Sequence, residues 1–87
     1  MTNYYTSLQT RTHAFLLERR MKANGITCEL AYLPRPIMTD MCSMGVKFPE
    51  SELQRALQAI RRSGLPNCRI YKEIVHSGES FYTEVLF

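Results

Sequence analysis

The sequence of 87 residues predicts an α+β fold in a single domain. Two segments have apolar residues at the three- and four-residue spacing of amphipathic helices, and the segments around them alternate as half-buried strands do. A short similarity links the two halves: GITCEL from Gly25 and GLPNCRI from Gly64 each follow a predicted helix and lead into a strand. The chain therefore consists of two consecutive strand–helix–strand units. Two such units in the order βαββαβ form a ferredoxin-like sandwich, an antiparallel sheet with two helices on one face.

The first unit begins with a strand from Tyr4 to Gln9 and continues into a helix that starts at Arg11. Thr10 is a suitable N-cap for this helix, and Asn24-Gly25 is a typical helix end. The predicted buried face of the helix consists of Ala14, Leu17 and Met21.

The second and third strands are predicted by alternation on either side of a loop rich in methionine and polar residues. The second strand runs from Ile26 to Tyr32, with Cys28 and Leu30 on the same apolar face, and Pro34 and Pro36 end it. The core-facing positions of the third strand are Met44, Val46 and Phe48.

The second helix opens at Pro49 to Glu52, since proline is tolerated in the first turn and acidic residues favour the positive helix end. Its apolar stripe is the clearest in the chain: Leu53, Ala56, Leu57 and Ile60. Ser63-Gly64 and Pro66 end this helix, and Arg69 to Val75 forms the last strand of the domain.

We assign residues 1–76 to this domain and residues 77–87 to a C-terminal extension. The alternation of Phe81, Thr83 and Val85 fits an extra edge strand or a contact with a partner. The last four residues, Glu84 to Phe87, match part of a viral protease site used for tag removal, so an origin outside the natural protein stays open for them.

Composition argues for a soluble, cytoplasmic protein without a membrane or nucleic-acid partner. No apolar run approaches the roughly 20 residues that span a bilayer, and the first residues lack the order of a signal peptide. The net charge of +3 is mild, and the arginines near the predicted helix ends complement the negative ends of those helices. Three cysteines without CxxC spacing indicate neither a disulfide framework nor a zinc site.

The predicted connectivity brings the loop cysteine, Cys42, to the start of the first helix. In a βαββαβ fold the first strand ends, the first helix begins, the second strand ends and the third begins at one edge of the sheet. Cys42 is then near Thr12 and His13, where the positive helix end lowers the pKa of a thiol, and Arg35 adds a permanent charge. His13 is also a candidate to hydrogen-bond the sulfur.

Each of these residues has a plainer interpretation. Cys42 falls in the same alternating series as Met44 and Val46, so it is also consistent with a buried apolar cysteine. His13 is equally consistent with an ordinary polar residue at the start of a helix. Cys28 is interpreted as structural, and Cys68 as too far from Cys42 in the sheet for a direct disulfide.

Methionines near Cys42 introduce a third possibility. Met38, Met41 and Met44 provide soft thioether ligands that would suit Cu(I), although gap-filling in the core explains them more simply.

The same residues resemble a known family of small domains, the selenium/sulfur carrier protein-like family. The resemblance runs from about Tyr4 to Ile74 and is most specific in the P-R-x-I-x-x-x-x-C segment, Pro34 to Cys42. It implies that Cys42 is the sulfur or selenium acceptor and that Arg35 is the family's loop arginine. The family usually has glycine after this cysteine, where this chain has Ser43.

The leading hypothesis is thus a stoichiometric carrier without a cofactor, and not an enzyme. Cys42 would accept sulfur or selenium as a persulfide or selenopersulfide from a desulfurase-type donor and pass it to an acceptor protein. The alternatives are a non-catalytic protein-interaction module and a Cu(I)-binding domain. Tyrosines on the face of the sheet left open by the helices also predict association, including a homodimer.

Overall fold

A computed structural model of the chain describes residues 2–38 and 43–86. Its strands and helices follow in the order β1 (Thr2–Ser7), α1 (Arg11–Ala23), β2 (Glu29–Tyr32), β3 (Met44–Pro49), α2 (Leu53–Ser63), β4 (Arg69–His76) and β5 (Glu79–Val85). Single turns of 3₁₀ helix lie at Arg35–Ile37 and Glu50–Glu52. The strands form one antiparallel sheet in the order β2-β3-β1-β4-β5. The predicted α+β class, the antiparallel sheet and the two helices are confirmed.

The face of the sheet under the helices holds the main core. The predicted stripe of α1 is completely buried, and Val46 and Phe48 of β3 are 0% and 1% exposed. Ala56 and Ile60 of α2 are buried in the same core cluster. Most of the apolar positions predicted for these three elements are therefore buried. The exceptions are Met44, Leu53 and Leu57, which are only partly buried, and Ala59, which is buried although it was not in the predicted stripe.

Both ends of α1 and the end of α2 are as predicted, whereas Pro49, expected to open the second helix, is the last residue of β3, and Glu50–Glu52 form a 3₁₀ turn before α2. Thr10 accepts a hydrogen bond from the backbone N–H of His13 at 3.1 Å, as an N-cap does, and Asn24 caps the other end of α1. At the end of α2, Gly64 has φ of 68°, a left-handed conformation that costs glycine little.

The second strand is shorter than predicted. β2 begins at Glu29, so Ile26 and Cys28 lie in the connection before it, although both pack against the main core. Tyr32, the last residue of this edge strand, is 71% exposed.

The other face of the sheet was expected to be open, and this was wrong for its centre. Leu33 and Ile37, which flank the 3₁₀ turn after β2, fold over this face and pack against Tyr5 of β1. Tyr71 and Tyr82 are partly buried in the same cluster. We call residues 33–37 the strap, because they cross a sheet face that has no helix.

The strap approaches the sheet closely at Gly45. A Cβ atom at this position would collide with the carbonyl oxygen of Thr6 and lie 2.8 Å from Cδ2 of Leu33. Only a residue without a side chain fits between them.

The C-terminal segment is part of the sheet. β5 pairs with β4 from Ile70↔Val85 to His76↔Glu79, after a two-residue turn at Ser77 and Gly78, both with positive φ. The predicted extra strand is confirmed at the edge of the sheet.

Candidate functional site

Four chain segments meet at one edge of the sheet, as the connectivity predicted. Ser7, the last residue of β1, pairs with Gly45 near the start of β3, and Tyr32, the last residue of β2, pairs with Met44. α1 starts four residues after Ser7 and runs away from this edge. We call it the α1 edge.

The start of α1 presents backbone donors at this edge. The first N–H groups of a helix have no intrahelical acceptor, and here Thr10 satisfies only that of His13. Among the described residues, the N–H groups of Arg11 and Thr12 have no acceptor, and they lie at the helix end that carries about half a positive charge. Thr12 itself is exposed.

His13 lies partly buried in the first turn of α1. Its Nδ1 atom is buried and has no hydrogen-bond partner in the described part of the chain. A buried nitrogen without a partner is unfavourable by about 1–3 kcal/mol, so this atom has an unused capacity for a hydrogen bond.

Arg35 is exposed at the first position of the strap's 3₁₀ turn. Ile37, two residues later, packs on the face of the sheet that is opposite to α1. Within residues 2–38 and 43–86, no hydrogen bond or ion pair joins Arg35 to Thr12 or His13. Arg35 thus lies in the strap, which covers the face of the sheet opposite to α1, and its grouping with Thr12 and His13 stays a prediction.

Cys42 lies outside the described residues, as do Met41 and residues 39 and 40. The prediction that Cys42 is close to the start of α1 stays a prediction. On either side of this segment, the N–H of Leu33 donates to the carbonyl oxygen of Ser43 at 2.7 Å. The two ends of the loop are therefore joined at the α1 edge.

The other two cysteines are partly buried, and each has a raised thiol pKa. Burial raises the pKa of Cys28, and the neighbouring Glu18 carboxylate raises it further. Burial alone raises the pKa of Cys68, whose sulfur donates to the carbonyl oxygen of Leu65 at 3.5 Å. Both thiols are less ionised at neutral pH than a free cysteine, so neither is an activated nucleophile.

Among the described residues, no three His, Cys, Asp or Glu side chains are grouped as a metal site requires. Neither described helix is long and apolar enough to cross a membrane.

A cleft of about 310 Å³ between the helices was missed by the sequence analysis. Three arginines line it: Arg20 of α1, and Arg55 and Arg62 of α2. The signal was the seven-residue spacing of Arg55 and Arg62, which places both on one helix face, but the antiparallel packing that adds Arg20 is not visible in the sequence.

Comparison with known families finds one match over most of the chain. The family model described as "Putative Se/S carrier protein-like" matches residues 3–72. No curated protein and no solved structure matches the chain. The matched range includes all of the elements from β1 to the middle of β4.

Proposed function

The chain belongs to the Se/S carrier protein-like family, and from this premise we propose that it carries sulfur or selenium on Cys42. The observation that carries the proposal is the family match over residues 3–72, a range that contains Cys42. The raised pKa values of Cys28 and Cys68 support it, because a carrier thiol has to be ionised to attack its donor.

The proposed reaction transfers one sulfur atom from a cysteine persulfide of the donor to Cys42. The Cys42 thiolate attacks the terminal sulfur of a persulfide on a desulfurase-type donor, and a new S–S bond forms as the donor's S–S bond breaks. The donor cysteine leaves as a thiolate, and no net oxidation occurs. The acceptor protein then attacks the same terminal sulfur, which releases the Cys42 thiolate. Selenium follows the same path as a selenopersulfide.

The α1 edge offers groups that would stabilise such an anion. In this proposal the N–H groups at the start of α1, including that of Thr12, and the Arg35 guanidinium lower the pKa of Cys42. The unpartnered Nδ1 of His13 is a further candidate to hydrogen-bond the sulfur.

Exposed apolar side chains at the α1 edge support docking to donor and acceptor proteins. Phe15 and Leu16 in the first two turns of α1 are 45% and 51% exposed, and Tyr32 and Leu86 are exposed at the same end of the sheet. Exposed apolar side chains that are grouped in one region mark protein interfaces, whereas single exposed ones are common on any protein surface. We propose the cytoplasm as the compartment, since Cys28 and Cys68 are free thiols, which persist in reducing surroundings.

Incubation with a cysteine desulfurase and cysteine, followed by intact-mass measurement, tests the proposal. We expect an adduct of about 32 Da, or multiples of it, that dithiothreitol removes. The adduct should disappear in Cys42→Ser and persist in the matched variants Cys28→Ser and Cys68→Ser. An adduct that survives in Cys42→Ser would refute the assignment of this residue.

A further inference from the structure

The cleft between α1 and α2 has the charge and the donors of a binding site that the carrier reaction does not use. It opens on the outer surface of the helix layer, and Asn24 and Ile26, at the far end of α1, form one of its ends. The 13 residues of α1 separate this end from the α1 edge by about 20 Å, at 1.5 Å per residue.

Two of the three arginines in the cleft are held in place by backbone carbonyls. Nη1 of Arg20 donates to the carbonyl oxygen of Arg62 at 3.1 Å, across the helix pair. Nη2 of Arg55 donates to the carbonyl oxygen of Asn24 at 2.6 Å. A fixed guanidinium loses little conformational entropy when it binds a ligand, so Arg20 is prepared for an anion, while the hydrogen bond of Arg55 fixes the wall of the cleft.

The cations in the cleft exceed the anions. Arg55 forms an ion pair with Glu52 at 3.2 Å, and no other ion pair of a cleft arginine occurs among the described residues. One of three positive charges is therefore compensated, and those of Arg20 and Arg62 are not. A ligand that brings two negative charges would balance the cleft.

The negative end of α1 does not oppose such a ligand. Its last carbonyl groups already accept hydrogen bonds: that of Arg20 from the backbone and side chain of Asn24, and that of Met21 from Ile26. The partial negative charge at this helix end is thus satisfied within the protein.

The remaining surface of the cleft is mixed. Ile26 and Ala59 are 4% and 6% exposed and form an apolar floor, and the exposed amide of Gln58 adds a donor and an acceptor at the rim. A volume of about 310 Å³ is at the small end of the range for metabolite pockets, about 300–1,000 Å³.

From these observations we propose that the α1–α2 cleft binds a small phosphate monoester, with Arg20 and Arg62 contacting the phosphate. A phosphate monoester carries nearly two negative charges at neutral pH and accepts the paired N–H groups of guanidinium. Arg55 shapes the cleft while it holds Asn24 and Glu52. This site is independent of Cys42, and its ligand neither donates nor accepts the carried sulfur.

Titration of the full chain with glycerol 3-phosphate, followed by NMR of the backbone amides at constant ionic strength, tests the site. We expect saturable shifts at Gln58, Ala59 and Arg62, and none with glycerol. Arg62→Gln should weaken binding at least about tenfold, because it removes a charge-assisted donor pair. Arg62→Lys keeps the charge but not the paired donors, and should lie between Arg62→Gln and the unmodified chain.

Arg19→Gln is the matched control. Arg19 is exposed on α1 beside Arg20 but does not line the cleft, and its replacement changes the net charge equally. We expect less than about a twofold effect, since separated surface charges are screened by salt. Absence of saturable shifts at millimolar ligand would overturn the proposal, and so would equal weakening by Arg19→Gln and Arg62→Gln.

Discussion

The face of the sheet under the helices and the face under the strap bury their side chains by different means. On the helix side, two long elements place regular apolar stripes on the sheet, and Leu17, Val46 and Phe48 are at most 1% exposed. On the strap side, a few residues between two strands cover the centre of the sheet through Leu33 and Ile37.

The difference explains why one layer was predicted and the other was not. A helix repeats its apolar positions every three or four residues, so its buried face is visible in the sequence. The strap has no period. Its two anchors are separated by Pro34, Arg35 and Pro36, a composition that is typical of an exposed loop.

The largest expected effect comes from the helix-side core, at Phe48. This side chain is fully buried and stacks on Tyr4, with ring centroids 5.6 Å apart. Phe48→Ala should reduce the free energy of unfolding by about 3–5 kcal/mol, a large part of the total stability of a small domain. Urea denaturation measures it. Phe81→Ala, at a side chain that is 52% exposed, is the control and should change stability by less than about 1 kcal/mol.

A smaller effect is expected on the strap side, at Ile37. Ile37→Ala should cost about 2 kcal/mol, the low end for such truncations, because a short connection can readjust more easily than a helix pair. Amide hydrogen exchange at Leu33, whose N–H donates to Ser43, should become faster. Met38→Ala, at the exposed neighbouring residue, should leave this exchange unchanged. A cost equal to that of Phe48→Ala would show that the two layers are equally cooperative.

The smallest effect concerns the polar part of the strap-side face. The hydroxyl of Tyr82 donates to Glu73 at 2.8 Å, and Glu73 is 8% exposed. Removal of this bond in Tyr82→Phe should cost about 1 kcal/mol near neutral pH.

The same substitution should also alter the pH dependence of stability. Burial, and then the hydrogen bond to Glu73, raise the pKa of Tyr82 in the folded protein. Above pH of about 10 the unfolded chain therefore loses this proton first, and the free energy of unfolding falls as pH rises. Tyr82→Phe should reduce that fall, whereas Tyr32→Phe, at a 71% exposed side chain, should not. Equal alkaline slopes for Tyr82→Phe and the unmodified chain would contradict the assignment.

Much of the fold could be predicted because the signals were local. The N-cap at Thr10, the turn at Gly64 and the stripe of α1 depend on neighbouring residues, and all three are confirmed. The stripe of α2 is confirmed in part, at Ala56 and Ile60. The predicted start of β2 was wrong because Ile26 and Cys28 contact the main core without strand pairing. Alternation of apolar residues alone does not distinguish a paired strand from an unpaired segment that contacts the core.

Less of the candidate site could be predicted. Connectivity correctly placed the start of α1 and the start of β3 at one edge, since both follow from strand order. It could not reveal that the strap carrying Arg35 folds over the face of the sheet opposite to α1, because the route of a loop across a sheet depends on its anchors. The interhelical cleft depends on how α1 and α2 pack, which is a tertiary property.

Gly45 couples the two layers in a way that bears on the divergence of the family. A methyl group at this position would press on the backbone of β1 and on Leu33 at once. In relatives that have any other amino acid there, we therefore expect the β2–β3 connection to differ in length or course. Substitutions at position 45 and changes in the loop that contains Cys42 should then occur together among relatives.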